Sequence, residues 1–280
     1  MTKIPFAVIF ICLLTSACTT IAPAATLTPI STHIPTATAT LIPSNTPTPS
    51  PAPSATATHD PNIAPVFSPI PASFVTNGSR EKAYVAITFD LCQIPEYPAG
   101  FAPQIVETLE RYNVPATFFL GGDWMRTHPN ETLLLAANPR FELGNHSWSH
   151  PDFRELTDAQ IGDEIIKTQD MLYKLTGRES HLLRLPYGYK SDAALNVIAQ
   201  HGLTTIQWDT ETGDPDPNFQ AEDILRAVEQ GAKNGSIIVM HANGRGWHTP
   251  EALPGVIDYL QAQGYTLVTV SQLIGLQAIP

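Results

Sequence analysis

From Arg80 onward, short apolar runs rich in β-favouring residues alternate with segments of helical periodicity, and this order constrains the fold more than any other feature of the chain. Runs at Tyr84 to Phe89, Ala116 to Leu120, Phe141 to Gly144, Leu182 to Leu185, Thr204 to Trp208, Ser236 to Met240 and Tyr265 to Val268 read as strands. Helical patterns lie near Gln104 to Tyr112, Thr157 to Leu175, Asp192 to Gln200, Ala221 to Ala232 and Pro250 to Gln263. The clearest is the second: Thr157 and Gln160 have capping-box spacing, Ile161, Ile165, Leu172 and Leu175 share one face, and Gly177 stands where a helix stops. Strand-then-helix order of this regularity predicts an α/β protein with a mostly parallel sheet and outer helices, either doubly wound or closed into a barrel.

The N-terminal part has another character. Between Thr19 and Ala72 lie 12 of the 26 prolines, one acid (Asp60) and no Lys or Arg. Such a Thr/Pro/Ala/Ser-rich stretch has too few large apolar residues to offset the entropy of folding, so 19–79 reads as a disordered linker and 80–280 as the folded domain. Lys3, the apolar run Ile4 to Leu14 and the small residues before Cys18 read as a signal peptide over 1–18, too short for a permanent membrane span. Leu14-Thr15-Ser16-Ala17-Cys18 resembles a bacterial lipobox, which implies export and an envelope anchor through a lipid on Cys18, with plain secretion as the alternative. Cys12 and Cys18 belong to this leader, which leaves Cys92 as the remaining thiol and no disulfide framework. The formal charge of −11 falls on the C-terminal part and argues against a nucleic-acid partner. A monomer is assumed.

Polar residues collect where the expected strands end, which in parallel α/β architectures is where sites are built. Asp90 ends the first run, His146 and His150 follow the third, and Arg184 sits at the fourth. Asp209, Glu211 and Asp214 follow the fifth, and His241 follows the sixth. Five strand ends carrying titratable groups point to one shared site. Two imidazoles four residues apart can reach one divalent cation, which would acidify a water and polarise a carbonyl. Asp90 could then take the water proton and His241 protonate a leaving amine or alcohol. The polar, glycine-rich stretch from His241 to Thr249 reads either as a substrate loop, with Arg245 for hydroxyls or carboxylates and Trp247 for a sugar face, or as a turn ending in a helix cap at Thr249.

These residues carry a family resemblance. Thr88-Phe89-Asp90, His146 to His150, Arg184-Leu185-Pro186-Tyr187-Gly188 and Val239-Met240-His241 resemble the first, second, third and fifth motifs of polysaccharide deacetylases of the NodB-homology group, carbohydrate esterases that remove acetyl groups from sugars. The fourth motif is matched loosely by Trp208 to Asp214, with Pro215 where the family has Trp. The resemblance spans about Tyr84 to Leu273 and implies a distorted (β/α) barrel of about seven parallel strands with outer helices. It implies Asp90 as general base, His241 as general acid, and His146 and His150 as ligands of a divalent metal: zinc, or cobalt or nickel. Arg184 would orient Asp90, Asp214 would orient His241, and the Tyr187 backbone N–H would hold an oxyanion.

One position departs from the pattern. The family's second aspartate, its third metal ligand, is replaced by Leu91. Glu96, Cys92 or a fourth-motif acid would then complete the site, or two histidines and waters would hold the metal, or hydrolysis has been lost. The expected activity is therefore deacetylation of an N-acetylated polysaccharide or oligosaccharide. The competing readings are a silent carbohydrate-binding lipoprotein and a C–N hydrolase of non-sugar amides.

Overall fold

In the computed structural model, which describes residues 68–94 and 99–276, the predicted runs form one parallel sheet. The leader, Cys18, most of the linker and Glu96 lie outside the described residues. The strands are β1 (Phe74–Val75), β2 (Tyr84–Leu91), β3 (Ala116–Leu120), β4 (Phe141–Asn145), β5 (Leu182–Arg184), β6 (Thr204–Ile206), β7 (Thr210–Glu211), β8 (Ile237–His241) and β9 (Thr266–Leu267). The helices are α1 (Pro103–Tyr112), α2 (Gly122–Thr127), α3 (Pro129–Ala137), α4 (Asp158–Thr176), α5 (Asp192–Gln200), α6 (Ala221–Gly231), α7 (Thr249–Ala262) and α8 (Val270–Ile274). The sheet order is β1-β6-β5-β4-β3-β2-β8-β7, with β9 also paired to β2. It curls into a half-barrel with helices around it, the distorted (β/α) barrel that was expected.

All seven predicted strands are present, and β1 and β7 are additional. Both are two residues long, too short to show alternation. β1 falls within the stretch read as linker: Phe74 and Val75 pair with Thr205 and Ile206, so the sheet begins before Arg80. α2, α3 and α8 are also additional. In α3 the run Leu133-Leu134-Leu135 hides the period, because Leu135 is buried while Leu133 and Leu134 are exposed.

β2 explains how the sheet sorts its side chains. Val85, Ile87, Phe89 and Leu91 pack into one cluster with Ile105 and Leu109 of α1 and Val256, Ile257 and Leu260 of α7. Ala86 turns to the opposite face, against Phe119 and Ile237, and Thr88 and Asp90 follow it by the two-residue period. Leu91 is fully buried on the helix-covered face, worth about 1.5–3 kcal/mol of apolar burial.

α4 forms as its pattern predicts. Thr157 and Gln160 make the reciprocal capping box, Ile161, Ile165 and Leu172 are buried, and Gly177 ends the helix at φ 70°. This helix carries the loop before it, which holds the two histidines.

Candidate active site

Strand pairing brings the first two groups together. β2 and β8 run parallel with Asp90 opposite His241, so both residues leave the sheet at the same level of its C-terminal rim. They line one cleft of about 200 Å³ with Cys92, His146, His150, Tyr187, Glu211 and Arg245.

Asp90 is buried, and its Oδ1 accepts a 2.8 Å hydrogen bond from Nη1 of Arg184. The same nitrogen donates to Thr88 Oγ1, and the guanidinium lies 4.1 Å from the Phe119 ring centre. Burial by itself would raise the Asp90 carboxyl. The Arg184 charge, with His146 and His241 behind it, outweighs burial and holds the carboxyl below the usual carboxylate value. Asp90 is thus an ionised acceptor facing the cleft.

His241 is governed by Asp214, which is itself buried. Its Nδ1–H donates to Asp214 Oδ1 at 3.0 Å, which turns Nε2 away from Asp214. Asp214 Oδ2 accepts from the His241 backbone N–H at 2.6 Å and from Thr249 Oγ1 at 2.7 Å. A Cβ at Gly246 would sit 2.7 Å from that oxygen, so the approach of this loop to Asp214 requires glycine. Burial pushes the His241 imidazole down, but Asp214 outweighs it and the imidazole titrates above its ordinary value.

His146 and His150 sit on the loop between β4 and α4. His146 Nδ1–H donates to the Arg184 carbonyl at 2.9 Å, which leaves Nε2 on the cleft side, 3.7 Å from Asp90 Oδ2. The His150 ring lies edge-on to His146 and to Tyr187, with centroids 4.9 and 4.6 Å apart. Burial pushes His150 down to about 3, so the ring is neutral at neutral pH, one nitrogen carrying a proton and the other a lone pair, as a metal ligand requires. Its Nδ1 is buried and has no hydrogen-bond partner among the described residues. Ser147, His150 and Tyr187 have φ values of 63°, 58° and 57°, a left-handed backbone that costs about 1–3 kcal/mol at a non-glycine residue.

The loop is held in that strained shape by residues that the motif reading passed over. Asn145 Oδ1 accepts the Ser147 N–H at 2.9 Å, and the Glu164 carboxylate accepts the N–H groups of Trp148 and Ser149 at 2.8 Å. The sequence held one signal for Glu164: an acid three residues after Ile161 and one before Ile165, on the apolar face of α4.

Comparison with known proteins places the arrangement. The family model for polysaccharide deacetylase matches residues 77–206. A peptidoglycan-N-acetylglucosamine deacetylase of Bacillus cereus is 30% identical over 203 residues, covering 72% of each chain. The chain belongs to the polysaccharide deacetylase family. Among solved structures, the Bc1960 peptidoglycan N-acetylglucosamine deacetylase matches with a TM-score of 0.68 and 29% identity, over 74% of this chain and 94% of that one. BA3943 of Bacillus anthracis, described as a pseudoenzyme of the same carbohydrate esterase family, matches with a TM-score of 0.67 and 27% identity, over 75% and 72%.

Within this family member the donor set fits a metal ion. Among the described residues, Cys92, His146 and His150 form a buried group whose ligand atoms all lie within 4.8 Å of one another. The other candidate residues are distributed by role. Asp209 is tied to Arg80 at 2.7 Å and to the Ile237 N–H, a structural anchor outside the cleft. Glu211 is exposed at the cleft edge. Tyr187 is 50% exposed beside His150. Arg245 lines the cleft, whereas Trp247 is 52% exposed and is not part of its lining.

Proposed function

We propose that this chain is a metal-dependent deacetylase that hydrolyses the acetamido group of an N-acetylated glycan. One observation carries the reading: a base held ionised by Arg184 and an imidazole whose proton Asp214 holds more tightly face each other from paired strand positions beside two metal-competent imidazoles. When bound between His146 and His150, a divalent ion supplies Lewis-acid polarisation of the carbonyl and a more acidic water. Asp90 takes a proton from the water as its oxygen bonds to the acetyl carbon, and Arg184 keeps the carboxylate aimed. The Tyr187 backbone N–H is assigned to the oxyanion, for which a preorganised donor is most effective. His241 then delivers the Nε2 proton to the sugar nitrogen as the C–N bond breaks, releasing acetate and the free amine. Arg245 lies where it can hydrogen-bond to substrate hydroxyls or a carboxylate, and Trp247 is assigned to stacking on a sugar beyond the cleft.

Both the Bacillus cereus relative and Bc1960 are peptidoglycan N-acetylglucosamine deacetylases, which supports an envelope glycan as the substrate class. Export and a lipid on Cys18 would bring the domain to such a substrate, and the N-terminal sequence is what supports that placement.

The test is acetate release from peptidoglycan fragments, chito-oligosaccharides and small amides, by protein stripped of metal and resupplied with zinc, cobalt or nickel. Metal-restored release from a glycan, abolished by Asp90→Asn and by His146→Ala, is the expected result. Release only from small amides would move the chain to the non-sugar C–N hydrolases. Glycan binding with no acetate from any substrate would make it a silent binder, a reading favoured by Leu91 and by the likeness to a pseudoenzyme.

A further inference from the structure

The loss of the acidic residue at position 91 leaves two histidines where three ligands would be expected, and the fold shows why no carboxylate could be reinstated there cheaply. Leu91 belongs to the buried cluster under α1 and α7, on the face of β2 away from the cleft. The chain continues to Cys92, which returns to the cleft side with Asp90 by the two-residue period and lines the cleft.

We propose that Cys92 supplies the third ligand as a thiolate, giving a Cys-His-His metal centre in place of an Asp-His-His one. The proposal rests on the deacetylase reading of the cleft and assigns the ligand that reading lacks. Four observations converge on it. The sulfur and the two imidazoles lie within 4.8 Å of one another, so short side-chain movements bring all three to one ion. His150, only 8% exposed, keeps Nδ1 without a partner among the described residues, a buried polar atom that no hydrogen bond uses. Asn243 donates to the Cys92 carbonyl at 2.7 Å and to Sγ at 3.4 Å, the kind of outer partner that fixes a ligand in place. Finally, the two buried acids beside the histidines are committed: Asp90 to Arg184, and Asp214 to His241 and Thr249.

The exchange conserves charge. A thiolate and a carboxylate each bring one negative charge to two neutral imidazoles, and the thiol proton leaves to solvent as the sulfur–metal bond forms. What changes is softness. A sulfur donor shifts preference towards zinc and cobalt and away from oxygen-seeking ions such as manganese and magnesium. Mixed cysteine and histidine sets are ordinary for zinc.

The experiment uses the full chain with Cys12→Ser and Cys18→Ser, so that Cys92 is its remaining thiol, titrated with cobalt(II) without oxygen. One cobalt per chain and a near-ultraviolet sulfur-to-cobalt charge-transfer band are expected. Cys92→Ser should abolish the band and weaken cobalt and zinc binding at least by the 10- to 100-fold that outer partners alone command, about one or two orders of magnitude. Cys92→Asp should retain cobalt without the band. One cobalt per chain, lost in His146→Ala but lacking the charge-transfer band, overturns the Cys92 assignment and leaves the two-histidine centre standing. No cobalt uptake at all overturns both the assignment and the metal-dependent reading. The parent spectrum decides between these outcomes even if a Cys92 variant fails to fold.

Discussion

The two walls of the cleft treat imidazole in opposite ways. On the β4–α4 loop, burial drives His146 and His150 down, the latter to about 3, and the Nδ1 of His150 has no hydrogen-bond partner among the described residues. On β8, burial acts on His241 in the same direction, but the Asp214 carboxylate at 3.0 Å reverses it. Three histidines of one cleft thus divide into two that release their second proton more readily than a free imidazole and one that holds it more tightly, and neighbouring groups rather than residue type make the division. The walls also differ in construction. His241 is strand-borne, fixed by the ladder with β2, whereas His146 and His150 depend on strained loop backbone held by Asn145 and Glu164.

Removing Asp214 breaks the contrast most completely, because Asp214 is the main group that raises His241 against burial. Asp214→Asn should lower kcat by about 10²- to 10⁴-fold, the range a positioned acid contributes. It should also change the pH profile. In the wild type the alkaline limb of kcat/KM, set on this reading by loss of the His241 proton, should lie above the ordinary imidazole value, and in the variant it should move to lower pH. A loss of rate with the limb unmoved would assign that limb to another group.

Arg184 joins the two walls, giving Nη1 to Asp90 and its carbonyl to His146. Arg184→Met would leave a buried carboxylate unpaired and should cost about 3–5 kcal/mol in denaturant unfolding of the metal-free protein. The pH dependence should change sign. In the wild type the lowered Asp90 carboxyl contributes stability above the unfolded-state value, lost as pH falls through the folded one. In the variant burial raises that carboxyl, so stability should instead fall as pH rises past the ordinary carboxylate value.

How much of this was legible in the sequence follows the same division. Strand-borne groups were visible in the pattern: Asp90 and His241 stand at the ends of apolar runs and Arg184 within one, and the sheet gathers them because parallel strands share one C-terminal rim. The spacing of His146 and His150 was visible, but the left-handed φ values of Ser147 and His150 leave no trace in residues that are not glycine. Leu91 was readable as a departure, while its placement on the helix-covered face needed the register of β2. Long-range partners such as Glu164 and Asn243 were least visible, since neither has a local pattern that names its target.

Glu164→Gln sharpens the comparison on the loop wall. The neutral amide keeps the shape but weakens the bonds to the Trp148 and Ser149 N–H groups, so metal affinity should fall about 10- to 100-fold while the alkaline limb stays in place. Calorimetric zinc titration beside the pH profile would separate the two walls: an affinity loss accompanied by a moved limb would show that they are coupled.

The smallest effect is expected at the cleft edge, where Arg245 lines the site and Trp247 stands more than half exposed outside it. An exposed ring can contact only a sugar that extends beyond the reacting residue, and stacking there contributes on the order of 0.5–1.5 kcal/mol. Trp247→Ala should therefore raise KM by about tenfold or less for longer oligosaccharides, leave kcat unchanged, and have no effect on a monosaccharide substrate. Arg245→Ala, inside the cleft, should act on short and long substrates alike. Equal responses of both variants to chain length would mean that the His241–Thr249 loop does not reach past the reacting sugar, and that its glycine-rich form serves only the approach of Gly246 to Asp214.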